Sequence, residues 1–329
     1  MKALLCKNYC EPEELVYENT PSPTPGDGQV VVTMKAAGVN FADSLIIQGK
    51  YQFKPAFPFS PGLEGAGVIR EIGAGVKQFA EGDRVMVHPM ASGGFAEELT
   101  IDQATTWKIP PQMDFSTAAG FCITYATSYH ALKDRAQLKA GETLLVLGAA
   151  GGVGLTAVEL GKVMGARVIA AASTADKLAL CKKYGADETI NYTDDNLRER
   201  VKEITGGQGV DVVYDPVGAT LGVAAFRSMR PGGRFLVVGF AAGEVPALPI
   251  NLILIKRSSV LGVFLGNWIL SNEEAARENM AELCRLFVDG RIQPHISRRY
   301  TLARAGEAIA HVANRQVEGK VVVDINAAD

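Results

Sequence analysis

The chain has 329 residues, of which 47% are hydrophobic and 21% are charged, so it is long enough for two domains of ordinary globular composition. Its net charge of −3 argues against nucleic acid or an anionic membrane surface as the main partner. We predict a cytoplasmic protein, because no apolar run approaches the roughly 18 residues of a membrane span and the N-terminus lacks a small-residue cleavage site.

Short strands broken by turns dominate the first hundred or so residues. An alternating run extends from Val30 to Lys35, and Gly82 and Asp83 mark a tight turn before another strand. This pattern predicts a small β-barrel or sandwich. An Ala-rich, turn-free stretch at 116–136 then predicts a helix.

From residue 142 onward, apolar strands alternate with amphipathic helices. Such alternation predicts a doubly wound parallel sheet. The helix at 194–206 is predicted to begin at Asp194 or Asp195. A further helix at 272–290 and a last strand at 318–325 follow. The six predicted strands are 142–148, 167–172, 188–192, 210–215, 232–240 and 259–264, and the helices between the first four are 152–166, 174–186 and 194–206.

A glycine-rich turn, "GAAGGVG", joins the first of these strands to its helix. Gly151 lets the backbone approach a pyrophosphate, and Gly154 lets the helix pack against the strand, although Ala149 replaces the first glycine of the usual motif. The helix N-terminus presents free N–H groups to phosphates. The sequence therefore predicts a dinucleotide site that includes Gly151, Gly152 and Val153.

The second strand of this sheet lacks the acid that NAD enzymes use. Ser173 stands 19 positions beyond Gly154, where a carboxylate would contact the adenosine ribose. Ser173 and Thr174 offer neutral donors and Lys177 offers a cation, and hydrogen bonds to a charged acceptor contribute about 1.5–3 kcal/mol each. A helix cap would explain a hydroxyl but not the absent acid together with the cation, so the prediction is NADPH.

These features, with "AGVNFADSLIIQGKY", "PFSPGLEGAGVI" and "GDRVM", resemble the zinc-free quinone oxidoreductase branch of the medium-chain dehydrogenase/reductase superfamily. The resemblance covers essentially the whole chain. It implies an α/β fold with a GroES-like, β-rich catalytic domain at 1–123 and 267–329. A doubly wound Rossmann domain that binds NADPH is then expected at 124–266.

The resemblance also bears on metal. Zinc-dependent relatives carry a Cys where this chain has Asn40 and a His where it has Leu63. Cys122 lies near a third ligand region, but one thiolate does not make a tetrahedral zinc site. The five cysteines include no C-x-x-C pair, which is typical of reduced thiols, and the four histidines are far apart. We predict no metal.

The resemblance implies that Asn40, Asp43 and Tyr51 are the catalytic residues and line the space near the nicotinamide. Asn40 would donate to a carbonyl or to the cofactor carboxamide, Asp43 would orient it, and the Tyr51 hydroxyl would donate to a developing oxyanion. Leu45 replaces a second Tyr of many relatives and makes the expected pocket more apolar. Further cofactor contacts implied by the resemblance are Thr127, Tyr129, Tyr192, Gly239, Phe240, Val263, Phe264, Leu265, Arg315 and Lys320.

The leading interpretation is an NADPH-dependent quinone reductase that transfers hydride directly. An enone or enoyl-thioester reductase on the same scaffold is the alternative, for which Lys50 and Lys54 would supply a basic rim. A nucleotide-sensing protein without turnover is the non-enzyme alternative. We also predict a homodimer in which the edge strand at 258–264 pairs with its copy and buries Leu252, Ile253 and Ile255.

Overall fold

The computed structural model describes residues 1–90 and 92–325. These residues form two compact units, which we call the β-rich unit (1–123 with 266–329) and the parallel-sheet unit (124–265). The predicted second boundary, after residue 266, falls one residue later than the division between the units.

Seven strands and two α-helices lie within residues 1–90 and 92–129. The helices are α1 (Phe41–Ile47) and α2 (Phe115–Tyr129), and the end of α2 widens into a π-helical segment at 130–135. The strands are β1 (Lys2–Leu5), β2 (Val16–Asn19), β3 (Gln29–Val39), β4 (Glu64–Ile72), β5 (Arg84–Val87), β6 (Glu98–Asp102) and β7 (Thr106–Lys108).

The parallel-sheet unit alternates strands and helices, as its apolar runs predicted. Its strands are β8 (Thr143–Val146), β9 (Arg167–Ala172), β10 (Glu188–Asn191), β11 (Val210–Asp215), β12 (Met229–Val237) and β13 (Ser259–Gly262). Its helices are α3 (Gly152–Val163), α4 (Ala175–Lys183), α5 (Leu197–Ile204), α6 (Ala219–Arg227) and α7 (Ile250–Lys256).

Residues 265–325 supply three α-helices and two strands. They are α8 (Leu265–Ser271), α9 (Glu273–Val288), β14 (Ile296–Thr301), α10 (Ala305–Ala313) and β15 (Lys320–Asp324). No helix among the described residues combines the length and the hydropathy that a membrane span requires.

The main sheet of the β-rich unit combines strands from the N-terminal part of the chain with the two C-terminal strands, while β1 and β2 form a separate two-stranded sheet. The strands of the main sheet follow the order β14-β15-β3-β4-β5-β7, and β6 pairs with β3. The long strand β3 is antiparallel to both β4 and β15, so residues 321–324 lie directly beside residues 36–39. A core of mostly β-branched side chains underlies this sheet, including Val30, Val32, Ile69 and Val321. This pairing brings Lys320, at the start of β15, close to the end of β3.

The six-stranded sheet of the other unit is wholly parallel, in the order β10-β9-β8-β11-β12-β13. Counted within the unit, this is the order 3-2-1-4-5-6 of the Rossmann fold, which confirms the predicted fold class. Because the strands are parallel, their carboxyl ends share one edge of the sheet. The order reverses between β8 and β11, and ligands of doubly wound sheets bind at such a point.

Helix α5 begins later than the sequence pattern predicted. Its N-cap is Asn196, whose side-chain oxygen accepts hydrogen bonds from the backbone N–H groups of Arg198 and Glu199 at 3.1 and 3.3 Å. The predicted caps, Asp194 and Asp195, lie in the preceding turn. Asn and Asp are nearly equal as caps, so the difference is decided by register and not by chemistry.

Strand β13 forms one edge of the parallel sheet, where the sequence placed an edge strand. The residues before it form helix α7, in which Leu252 and Ile253 are partly buried and pack against the core of their own unit. Ile255 is 70% exposed, and Ile250 and Leu254 are exposed as well.

The hydrogen-bond direction along β13 is set by its partner strand. The N–H of Val263 donates to the carbonyl of Val237 at 3.0 Å. Because backbone groups alternate sides along a strand, the odd-numbered residues of this segment face β12. The amide of Val260 accordingly faces the open edge.

Candidate functional site

The glycine-rich turn lies at the carboxyl end of β8, next to the reversal point of the sheet. Gly151 is the N-cap of α3, and Gly152 and Val153 form the first helical residues. All three are only partly buried. The Gly151 N–H donates to the Gly148 carbonyl at 3.0 Å, whereas the N–H groups of Gly152 and Val153, in the first turn of α3, have no intrahelical acceptor. A Cβ at Gly154 would collide with the carbonyl of Gly148, which is why the helix approaches the turn this closely.

A network of buried hydroxyl groups is hydrogen-bonded to the backbone next to this turn. The hydroxyl of Ser128 on α2 donates to the carbonyl of Val153 at 2.9 Å, and it lies 2.8 Å from the Thr156 hydroxyl and 2.9 Å from that of Tyr214. Sequence reasoning missed these residues. The signal available was a run of small hydroxyl residues, "ITYATSY", inside an apolar helix.

Several predicted cofactor residues gather at the carboxyl edge of the parallel sheet. Ser173 follows β9, Tyr192 follows β10, Gly239 lies two residues beyond β12, and Val263 follows β13. Asn191 and Ala172 are paired at the ends of their strands, which brings Tyr192 next to Ser173. The topology thus collects on one edge side chains that are up to 90 residues apart in sequence.

The two hydroxyl residues after β9, Ser173 and Thr174, have different roles. The Thr174 hydroxyl caps α4 and accepts a hydrogen bond from the Lys177 backbone N–H at 3.3 Å. Its own O–H remains a donor, because accepting a bond does not use the hydroxyl proton. Within the described part of the chain the Ser173 hydroxyl has no hydrogen-bond partner, and Lys177 follows one turn into the helix. The capping role foreseen for a hydroxyl therefore coexists with a donor set suited to a phosphate.

The remaining predicted cofactor residues differ in burial. Thr127 and Tyr129 on α2 are buried, and the Lys133 ammonium lies 5.0 Å from the centre of the Tyr129 ring. Arg315 is exposed at the end of α10 with a φ of 57°. The other three lie near the ends of β12 and β13: Phe240 is half-buried, Phe264 is 39% exposed and Leu265 is buried.

In the β-rich unit, Asn40 lies between two buried opposite charges. The Lys320 ammonium donates to the Asn40 side-chain oxygen at 2.7 Å, to the Val39 carbonyl at 2.8 Å, and to Glu64 Oε1. The Asn40 amide group in turn donates to Glu64 Oε1 at 2.9 Å. The second Glu64 oxygen accepts from the Ile123 backbone N–H at 2.8 Å. Asn40 therefore keeps one side-chain N–H for a ligand.

The sequence predicted that Lys320 contacts the cofactor, whereas in the structure its ammonium group binds protein oxygens. Its side chain is 7% exposed, and its three N–H donors all reach protein oxygens. A direct hydrogen bond to a phosphate would require breaking one of them. Sequence reasoning missed Glu64, although a carboxylate between Leu63 and Gly65 at the start of the apolar strand "LEGAGVI" was a visible signal.

Asp43 is fully buried in the first turn of α1. One carboxylate oxygen accepts a hydrogen bond from the Asn40 backbone N–H at 2.7 Å, and the other, Oδ1, has no hydrogen-bond partner among the described residues. Burial raises the pKa of Asp43 from 3.8 to about 7, and the nearby Glu64 raises it further, against the Asn40 hydrogen bond and the charge of Lys320. Near neutral pH this carboxyl group can thus hold a proton.

Tyr51 lies close enough to Asp43 for the carboxylate charge to affect the pKa of its hydroxyl. The ring packs partly buried against the core of the β-rich unit, 6.4 Å from the Phe53 ring. Burial raises the pKa of the Tyr51 hydroxyl, and the neighbouring Asp43 carboxylate raises it further. The hydroxyl is therefore a protonated hydrogen-bond donor across the physiological range.

The positions of the zinc ligands in related dehydrogenases carry other chemistry here. Leu63 is buried, and its carbonyl contacts Nδ1 of the buried His88 at 2.7 Å. Burial raises the pKa of the Cys122 thiol well above its usual value, whereas zinc binds the thiolate. Among residues 1–90 and 92–325, no three His, Cys, Asp or Glu side chains are grouped as a metal site would require.

Comparison with known proteins agrees with this architecture. Residues 26–111 match the alcohol dehydrogenase GroES-like domain, and residues 152–285 match the family described as zinc-binding dehydrogenase. The chain is 37% identical over 325 residues to the quinone oxidoreductase-like protein 2 homolog of Nematostella vectensis, covering 98% of this chain and 88% of that protein.

Two further relatives match this chain over nearly their whole length. Human quinone oxidoreductase is 32% identical over 325 residues, covering 98% of this chain and 97% of that protein. The structure of Escherichia coli quinone oxidoreductase complexed with NADPH superposes with a TM-score of 0.92 at 29% identity, covering 99% of this chain and 100% of that one. The chain therefore belongs to the quinone oxidoreductase branch of the medium-chain dehydrogenase/reductase superfamily, and it is an oxidoreductase of that superfamily.

Proposed function

We propose that this protein reduces quinones with NADPH, by direct hydride transfer and without zinc. The observation that carries the proposal is a buried, protonatable Asp43 whose charge acts on the phenol of Tyr51, together with the Asn40 amide that Lys320 and Glu64 hold in place. These groups can donate hydrogen bonds and a proton to an oxygen that gains negative charge.

NADPH fits the features of the parallel-sheet unit. The open N–H groups of Gly152 and Val153 suit a pyrophosphate, because they stand at the N-terminus of a twelve-residue helix. Ser173, Thr174 and Lys177 suit a 2′-phosphate, since they combine hydroxyl donors with a cation and no carboxylate. The Escherichia coli relative was solved with NADPH, which supports the same choice. When bound, NADPH would supply the hydride.

The residues of the β-rich unit then serve the acceptor. The remaining N–H of Asn40 orients a carbonyl group, and the Tyr51 hydroxyl donates to the oxygen on which charge develops. A quinone that accepts hydride becomes a hydroquinone anion and needs one proton, which Asp43 holds near neutral pH. Quinones accept hydride by conjugate addition, so this reaction needs no Lewis acid. That requirement agrees with Asn40 and Leu63 at the zinc positions.

Oxidation of NADPH with a panel of acceptors tests the proposal. We expect turnover with simple benzoquinones and naphthoquinones, and slower turnover with enones and with enoyl-CoA esters. Preference for enoyl-CoA esters would replace the proposal with the enoyl-thioester reductase. Binding of NADPH without turnover of any acceptor would replace it with a nucleotide-sensing role.

A further inference from the structure

We propose that Lys320 and Glu64 are positioning residues, whose buried ion pair holds the Asn40 side chain in one orientation and balances the charge around Asp43. The inference rests on the proposed function, because the reaction gives the position of Asn40 its importance. Neither residue needs to touch the substrate or the cofactor for this role.

The hydrogen bonds of the pair leave Asn40 a single orientation. Its side-chain oxygen accepts from the Lys320 ammonium at 2.7 Å, while its amide group donates to Glu64 at 2.9 Å. A flipped amide would point N–H at the ammonium and oxygen at the carboxylate, and both contacts would become repulsive. The two opposite charges therefore fix the direction of the remaining Asn40 N–H.

The surrounding backbone provides space for this pair. A Cβ at Gly38 would lie 2.5 Å from a Glu64 carboxylate oxygen, and a Cβ at Gly120 would lie 2.8 Å from Cγ of Lys320. The carboxylate is fully buried and accepts an additional bond from the backbone of Ile123. Burying charged groups costs free energy, so both groups need an opposite charge and a full set of hydrogen bonds to remain ionised in the interior.

The pair also sets the charge environment of Asp43. The charged and titratable groups that face Asp43 are Lys320 on β15, Glu64 on β4 and Tyr51 in the segment after α1. The Lys320 cation favours the ionised carboxylate and the Glu64 anion opposes it. Removing one partner therefore shifts the pKa of Asp43 in a direction that depends on which partner is lost.

Three variants separate positioning from general stability. Because Asp43 holds the proton that the reaction needs, kcat should fall when this group ionises at alkaline pH. Lys320→Met removes the cation and should raise the pKa of Asp43, so this fall of kcat should move to higher pH. Glu64→Gln removes the anion and should move that fall to lower pH. Gly120→Ala keeps both charges but displaces the Lys320 stem, so it should lower kcat about tenfold while the pH profile stays in place.

The KM for NADPH is the second measurement, and it should stay within about threefold of wild type in all three variants. Lys162→Met is the matched control. It removes a lysine from an ion pair with Asp187 at 2.8 Å in the parallel-sheet unit, and it should change neither kcat nor the pH profile. If Lys320→Met does not fold, Glu64→Gln and Gly120→Ala decide the question.

Shifts of the pH profile in the same direction for the two charge variants would overturn the proposal, as would a wild-type kcat in Gly120→Ala. The pKa of Asp43 can also be read from the pH dependence of unfolding, which needs no substrate. Opposite shifts in that measurement would support the charge balance even if no quinone is reduced, so failure of the proposed function remains distinguishable.

Discussion

Replacing Asp43 by Asn tests directly whether a protonated acid is buried in the candidate site. The variant keeps the shape of the side chain and an oxygen to accept from the Asn40 backbone N–H, but it cannot ionise. Wild-type protein must either keep the proton on Asp43 or bury a carboxylate charge as the pH rises. We therefore expect Asp43→Asn to be more stable than wild type at alkaline pH, although it should be less active.

The size of this effect follows from the pKa of Asp43. In the unfolded chain the group loses its proton near pH 3.8, whereas in the folded protein it keeps it until about pH 7. Between these values the folded state binds more protons, so the unfolding free energy falls as the pH rises. At about 1.4 kcal/mol per pH unit, the gap from 3.8 to about 7 corresponds to about 4 kcal/mol above pH 7.

Urea unfolding of both proteins between pH 5 and pH 8 measures the difference. The advantage of Asp43→Asn over wild type should be about 3 kcal/mol greater at pH 8 than at pH 5. Asp83→Asn is the control: although partial burial opposes it, the hydrogen bond from Lys108 holds the pKa of Asp83 below its usual value. Its stability difference should therefore stay constant over this range. A constant difference for Asp43→Asn as well would refute the argument.

Four further predictions concern the cofactor, the acceptor, the metal and the assembly. Lys177→Ala should raise the KM for NADPH about tenfold and leave that for NADH unchanged, whereas Lys183→Ala at the exposed end of α4 should change neither; a wild-type preference for NADH would contradict the assignment. Tyr51→Phe should lower kcat more than it weakens cofactor binding, and more for an enone than for a reactive quinone; equal and negligible losses would leave Tyr51 a packing residue. Elemental analysis should find no stoichiometric zinc, and chelators should leave activity intact; activity lost to a chelator and restored by zinc would contradict zinc independence. Light scattering should find a homodimer, and Val260→Pro should weaken it by removing an amide that faces the open edge of β13; a monomer across a broad concentration range would rule this out.

The sequence was sufficient for features that depend on neighbouring residues. The apolar runs between residues 142 and 215 are long enough, and bounded clearly enough by glycine, to define strands buried on both faces. The Gly151–Gly154 spacing fixes a turn and a helix start for steric reasons that hold in any fold. The position of β13 at an edge also follows from the chain order of a doubly wound sheet.

Prediction from the sequence was least accurate where the local pattern suits more than one secondary structure. Residues 250–256 are an apolar cluster before a strand, yet they form α7, because Leu252 and Ile253 pack against the core of the parallel-sheet unit. Short apolar runs suit both a helix and a strand, so only packing decides between them. The cap of α5 at Asn196 has the same explanation at the scale of one or two residues.

The candidate site was decided by the tertiary structure. Sequence and resemblance singled out Asn40, Asp43 and Tyr51, which lie within twelve residues of one another. Lys320 lies 280 positions from Asn40 and reaches it only because β15 pairs with β3 at the end of the chain. The saturation of the Lys320 ammonium arises from this pairing, whereas the raised pKa of Asp43 arises from its burial, which the Lys320 charge opposes. A charge is perturbed by what surrounds it in space and not by its neighbours in sequence.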